Sequence, residues 1–144
     1  MWNKVLVVDD EPDLVELLSC HLKSGGYEVV RAANGLEALH QARRHLPDVI
    51  LLDLMLDGMD GYSVCEILRA QPSTARIPVI LVTALGGEIA RLNGLESGAD
   101  DFVRKPFVRE EILRRVEAAR ERAAVRAQSE ALAADPGLPG VRPA

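Results

Sequence analysis

Five polar residues stand where apolar runs of this chain stop. Asp9 and Asp10 follow VLVV (5–8), Asp53 lies in DVILLDL (48–54), Thr83 lies in PVILVTA (78–84), and Lys105 lies in DDFVRKP (100–106). Glu11 extends the first acidic group, and three adjacent carboxylates repel one another unless a cation or water faces them. Asp9, Asp10 and Asp53 come without a histidine or cysteine, so the cation they suit is a hard one that prefers oxygen. Mg²⁺ keeps several waters and takes one or two carboxylates plus a phosphate oxygen, and Mn²⁺ is its natural substitute. Asp10 and Asp53 are the expected direct ligands. Asp9 is expected to orient a coordinated water or to hold Lys105, and the backbone carbonyl of Met55 to supply another oxygen. Calcium fits worse, because the chain has no EF-hand loop.

Such a set can carry out phosphoryl transfer. Asp53 is placed as the nucleophile, and its attack on phosphorus would give an acyl phosphate. The reaction needs positioning and charge neutralisation more than elaborate covalent chemistry. The cation, the Lys105 ammonium and the Thr83 hydroxyl would each meet one phosphoryl oxygen. Ala84 is small enough to leave room for the group.

The surrounding pattern says how these residues could meet. VLVV (5–8), YEVVRA (27–32), DVILLDL (48–54), PVILVTA (78–84) and DDFVRKP (100–106) read as strands. Helices are expected between them and at the end. The first spans 11–26, with Pro12 in its first turn, Leu14, Leu17, Leu18 and Leu22 on its core side and Gly25-Gly26 as its stop. The second is capped by Asn34, carries Leu36, Leu39 and Ala42, and stops before Pro47. The third begins at Asp60 or Gly61, with Val64, Ile67 and Leu68 inward. The fourth covers 87–97, and a long one covers 108–134. Five strands alternating with helices imply an α/β fold with a doubly wound parallel sheet covered on both faces. Ligands of such sheets bind beyond the carboxyl ends of the strands, where all five polar residues fall.

The chain has 144 residues, 48% of them hydrophobic but only 3% aromatic, so one aliphatic core is expected. A formal net charge of −5 argues against direct nucleic-acid binding by this chain. Cys20 and Cys65 lack metal-ligand spacing and read as buried reduced thiols. His21, His40 and His45 read as ordinary surface residues. The N-terminus does not resemble a signal peptide and no apolar run reaches membrane-spanning length, so a cytoplasmic location without membrane contact is expected.

Four separated stretches now converge on one family. VVDDEP, LLDLMLDGMDG, VTA and GADDFVRKPF, in that order, resemble the receiver domain of bacterial two-component response regulators over residues 3 to about 122. The resemblance implies a flavodoxin-like (βα)5 fold with strand order 2-1-3-4-5. It implies phosphorylation of Asp53 by a histidine kinase or phosphotransfer protein. Asp9 and Asp10 match the family's acidic pair, Thr83 its switch hydroxyl, Phe102 its switch aromatic and Lys105 its lysine. The Lys105–Pro106 peptide resembles one that is usually cis. Where the loop after the acceptor usually has proline, this chain has Asp57, which adds a negative charge.

The resemblance implies a signalling phosphoacceptor, expected to catalyse only its own phosphorylation and slow dephosphorylation. The face formed by the fourth helix, fifth strand and fifth helix is expected to change on phosphorylation. Its charges resemble the winged-helix subclass of response regulators, with Arg91 facing Glu111 and Asp101 facing Arg115 of a second copy in a phosphorylation-dependent homodimer. Ser97 replaces an acid common there, which removes a pair with Arg122.

Two rival activities fit worse. An aspartate-nucleophile phosphatase would want an acid two residues after Asp53, where Met55 stands. A flavin carrier would need a glycine- and hydroxyl-rich loop after the first strand, where DDEPD would repel the phosphate. Residues 1–122 are read as the receiver domain and 123–144 as a helical extension with a disordered Pro/Gly-rich tail. Ile112, Val116, Ala119 and Ala123 have near-heptad spacing that would suit a weak coiled coil. The output partner is not specified by this chain.

Overall fold

The computed structural model describes residues 3–134. Its order is β1 (Lys4–Val8), α1 (Pro12–Ser24), β2 (Glu28–Ala32), α2 (Gly35–His45), β3 (Val49–Leu52), α3 (Gly61–Ala70), β4 (Val79–Thr83), α4 (Glu88–Glu96), β5 (Asp101–Arg104) and α5 (Arg109–Ala134). The strands form one parallel sheet in the order β2-β1-β3-β4-β5. The tail expected to be disordered, 135–144, lies outside the described residues.

Alternation along each strand feeds two cores. Leu6, Val8, Ile50, Leu52 and Leu81 point to the side covered by α2 and α3. Val5, Val7, Val49, Leu51, Ile80 and Val82 point to the side covered by α1 and α5. This two-sided burial is why the strands read as continuous apolar runs. The helices begin on local caps. Asn34 accepts from the Glu37 N–H at 2.8 Å, and Asp60 from the Ser63 N–H at 2.9 Å. Leu46 ends α2 in the left-handed region at φ 46°, directly before Pro47.

Several expectations need correction. On α1 the buried face is Val15, Leu18, Ser19 and Leu22, with Leu17 exposed. The four leucines span a wider arc than the sheet contacts, and Ser19 enters the core by bonding the Val15 carbonyl at 2.6 Å. Cys20 lies on the outer face of α1 and is exposed, whereas Cys65 is buried, which pushes its thiol pKa up. Leu36 is 71% exposed, because Gly35, Ala38, Leu39 and Ala42 form the face of α2 that meets the core. Ile112, Val116 and Ala119 are fully buried against this chain's own sheet. Their spacing therefore records the core face of α5, and they are not free to form a coiled coil.

The helix α5 continues without a break past residue 122. Beyond that point Arg126 lies 3.8 Å from Asp100 and Glu130 pairs with Arg76, so the extension touches the body of the domain.

Asp100 also belongs to a tighter junction. The Arg69 guanidinium donates to the carbonyls of Gly98 (2.8 Å), Ala75 (3.2 Å) and Ile77 (2.6 Å) and to the Asp100 carboxylate (2.7 Å). Asp100 in turn accepts the Val79 N–H at 2.9 Å. One cation thus joins the end of α3, the start of β4 and the turn before β5. Arg69→Ala leaves a half-buried carboxylate and three carbonyls without this donor, and is expected to cost about 3 kcal/mol. Urea unfolding measures this; an unmoved midpoint would show that the junction contributes nothing.

Candidate functional site

Ladder hydrogen bonds carry the sheet one residue past the strands and hold the site residues in place. The Asp9 N–H donates to Ala32 O (3.2 Å), the Asp53 N–H to Val8 O (3.0 Å) and the Lys105 N–H to Thr83 O (2.8 Å). The Lys105 ammonium lies 2.9 Å from Asp9 Oδ2 and 3.1 Å from Asp53 Oδ2. The remaining oxygens are held locally: Asp9 Oδ1 accepts the Glu11 N–H at 2.9 Å, and Asp53 Oδ1 the Met55 N–H at 3.2 Å. Asp9 and Asp53 are almost wholly buried. The Lys105–Pro106 peptide is cis.

Asp10 is the more open third carboxylate, and oxygens of Asp9, Asp10 and Asp53 fall within 4.8 Å of one another. Asp10 makes no ion pair among the described residues. Its carboxyl is held above the usual range, first by desolvation and then by the charges of Asp57, Asp9 and Asp53. Burial alone would lower the Lys105 pKa, but its hydrogen bonds to Asp9 and Asp53 and their charges reverse this and raise it. The site therefore holds more negative charge than its single ammonium offsets. An all-oxygen donor set with surplus negative charge fits a hard divalent cation such as Mg²⁺.

Thr83 is fully buried, and its hydroxyl accepts the Leu85 N–H at 3.2 Å, so it is engaged with the β4–α4 loop. Phe102 is half-buried, pairs with Leu81 in register and packs against the α2–α3 side of the core. The helix α4, of which only Ala90 and Gly94 are buried, packs beside Leu81 and Phe102. A methyl group at Gly94 would sit 2.5 Å from Leu81 Cδ1, so glycine is what lets α4 lie this close to the sheet. On the expected dimer face, Arg115 bonds Asp101 of its own chain at 2.7 Å and Arg91 bonds Glu88 at 3.1 Å.

Two features escaped the sequence reading. Gly61 was read only as a helix start, yet a methyl there would lie 2.6 Å from the Asp53 carbonyl oxygen. Its N–H bonds Leu54 O at 3.0 Å, so the start of α3 presses directly on the backbone of Asp53. The guanidinium of Arg104, one residue before the lysine, lies beside Gly86 in the β4–α4 loop. The adjacent glycines 86 and 87 were the available signal.

Comparison with known proteins agrees with this geometry. The family model "Response regulator receiver domain" matches residues 5–117. Response regulator PleD of Caulobacter vibrioides is 51% identical over 107 residues, which are 74% of this chain and 24% of PleD. The DNA-binding dual master transcriptional regulator RpaA of Synechocystis is 44% identical over 115 residues, covering 80% of this chain and 48% of RpaA. The chain thus spans half or less of the length of these curated relatives. Among solved structures, a response regulator from Chloroflexus aurantiacus superposes with TM-score 0.81 at 40% identity, over 84% of this chain and 99% of that one. The receiver domain of a sensor histidine kinase from Pseudomonas aeruginosa PAO1, with magnesium coordinated in its active-site cleft, superposes with TM-score 0.78 at 35% identity, over 84% and 99%. An acid-and-lysine cluster at the carboxyl edge of a 2-1-3-4-5 sheet and a family match over most of the described residues lead to one conclusion: this chain belongs to the receiver domain family of two-component response regulators.

Proposed function

We propose that this signalling domain accepts a phosphoryl group on Asp53 from a histidine kinase or phosphotransfer protein. The observation that carries the reading is the Lys105 ammonium set between Asp9 and Asp53 with Asp10 alongside. Asp53 offers a carboxylate oxygen to phosphorus as the bond from phosphorus to the donor nitrogen breaks, and that nitrogen keeps the bonding pair. Lys105, already hydrogen-bonded to Asp53, can follow the developing charge onto a phosphoryl oxygen. The Thr83 hydroxyl, whose oxygen accepts the Leu85 N–H, has its own proton to donate to another.

Asp10 and Asp53 would hold Mg²⁺ directly, with the Met55 carbonyl as a further ligand and Asp9 acting through a water; Mn²⁺ would fit the same oxygens. Bound there, the ion supplies the positive charge that draws the phosphoryl oxygens to an otherwise anionic site. The chain catalyses only its own modification. Slow loss of phosphate follows from exposed Met55 and Leu85, which offer an attacking water no polar group. No helix among the described residues is long and apolar enough to cross a membrane, and a cytoplasmic site of action suits a kinase partner.

Incubation with Mg²⁺ and a small phosphoramidate donor is expected to add one phosphoryl group by intact-mass measurement, and a chelator to prevent it. A chain that stays unlabelled with both present would overturn the reading.

Phosphorylation replaces the single charge of the Asp53 carboxylate at the end of β3 with a phosphoryl group carrying about two, a net gain of about one negative charge and three acceptor oxygens. Thr83 and Phe102 would carry the change to the face of α4, β5 and α5, where Ile89 and Leu92 stand exposed. Pairing of two copies across that face requires Arg91 and Arg115 to exchange their present partners for Glu111 and Asp101 of the other chain. Exposed pairs of this kind set register more than affinity. Sedimentation with a phosphoryl analogue is expected to show a doubled mass; an unchanged mass would reject the dimer.

A further inference from the structure

The helix α4 has few holds on the rest of the domain. Of its nine residues only Ala90 and Gly94 are buried, and Gly94 brings no side chain to the contact. Ile89, Leu92 and Leu95 are exposed. Its N-cap is Gly87, with no side-chain cap bond. A helix of this length does not persist in water without tertiary contacts. Among the described residues, the hydrogen bonds of α4 run within the helix or to its flanking residues 87 and 97–99, with one exception. The Tyr62 hydroxyl donates to the Ala90 carbonyl at 3.0 Å.

Tyr62 stands half-buried in the first turn of α3, which is fixed on several sides. Asp60 caps that turn at the Ser63 N–H, the Gly61 N–H bonds Leu54 O, and Val64 is fully buried. The phenol ring reaches α4 as well. A methyl group at Gly94 would lie 3.8 Å from Tyr62 Cε1 and 3.8 Å from Phe102 Cδ2. Ala90 and Gly94 are four residues apart and so share one helix face, and Tyr62 meets both. Burial, and then the charge of Asp60, push the phenol pKa up, so the group stays protonated well above neutral pH. A carbonyl can only accept, so the bond needs that proton.

We propose that Tyr62 is a positioning residue for α4: its hydroxyl is the tether that holds this helix to α3 and sets how readily it comes away from the domain. The functional weight of the tether rests on the reading of the α4, β5 and α5 face as the one that changes on phosphorylation; the tether itself does not. Gly61, the residue before Tyr62, lies directly against the Asp53 backbone. Tyr62 thus connects α4 to the acceptor strand through α3, separately from the connection through Thr83 and Phe102.

Native-state amide hydrogen exchange on the whole, unphosphorylated chain tests this. Regions with few buried contacts open without global unfolding, so α4 reports its own attachment. Tyr62→Phe keeps the ring and removes only the hydroxyl. Amides of 88–96 are expected to exchange about fivefold faster, the effect of one lost hydrogen bond, while those of α1 and α2 exchange as in the parent. Tyr27→Phe is the matched control. It removes a hydroxyl that donates to Glu117 at 2.9 Å on the α1–α5 side of the sheet, and should leave α4 unchanged. Unaltered exchange of 88–96 in Tyr62→Phe would overturn the inference. So would equal acceleration of α1 and α2, or acceleration of α4 by Tyr27→Phe, since α4 would then open only with the whole domain. The phosphoacceptor reading stands or falls separately, on labelling of Asp53.

Discussion

Asp53→Asn is expected to abolish phosphoryl labelling. An amide oxygen carries no charge to place on phosphorus and cannot form a stable acyl phosphate. The change is nearly isosteric, but the Met55 N–H and Lys105 bond different oxygens of Asp53, so the single amide oxygen can keep only one of them. It also removes one of three crowded negative charges, so no loss of fold is expected, and circular dichroism should match the unaltered chain. The informative measurement is intact mass after incubation with Mg²⁺ and donor. Labelling at an undiminished rate would move the acceptor to another carboxylate, with Asp9, Asp10 and Asp57 the nearby alternatives. Asp9 and Asp10 lie within reach of the same cation, so the result separates the nucleophile from the residues that only hold charge.

Lys105→Ala should produce the second large effect. Its ammonium is the one cationic side chain that contacts the carboxylate cluster among the described residues, and it touches both buried acids. Loss of a preorganised group that meets developing charge typically costs roughly 10²–10³-fold in rate. Labelling of this variant should slow by that factor while Mg²⁺ still binds, since the ligand oxygens are untouched. Without metal the variant should also be less stable than the parent, because two buried carboxylates lose their counter-charge. Adding Mg²⁺ should restore part of that stability. Parental labelling kinetics would remove Lys105 from the chemistry and leave it a structural bridge between β1 and β3.

The two variants probe residues of unequal legibility. Asp53 is visible because a β-branched and leucine-rich run ends on an acid, a local signal that needs no partner. Lys105 by itself looks like any surface lysine, and only its place beside the fifth strand suggests more. The alternation of five apolar runs with amphipathic segments was readable for the same reason as Asp53. Backbone period and chain punctuation act over a few residues. Strand order came from the resemblance of four motifs, not from periodicity, since right-handed crossovers leave more than one arrangement open.

Tertiary structure decided matters of distance and of facing. The 2.9 Å and 3.1 Å contacts of Lys105 depend on strands far apart in sequence lying side by side. The charge of Asp57 on Asp10 depends on how a loop folds back over the sheet edge. An apolar stripe looks the same in sequence whether it meets its own sheet or a second chain, and so Ile112, Val116 and Ala119 were open to a coiled-coil reading. Leu36 and Cys20 likewise share the composition of core residues but stand on turns and faces that the sheet does not reach. The proximity of Arg104 to Gly86 brings the end of β5 against the β4–α4 loop through a shape that no spacing encodes. Sequence by itself determined which residues are chemically able and which elements present them, because those properties are local. Only packing determined which of them touch, because contact depends on the path of the whole chain.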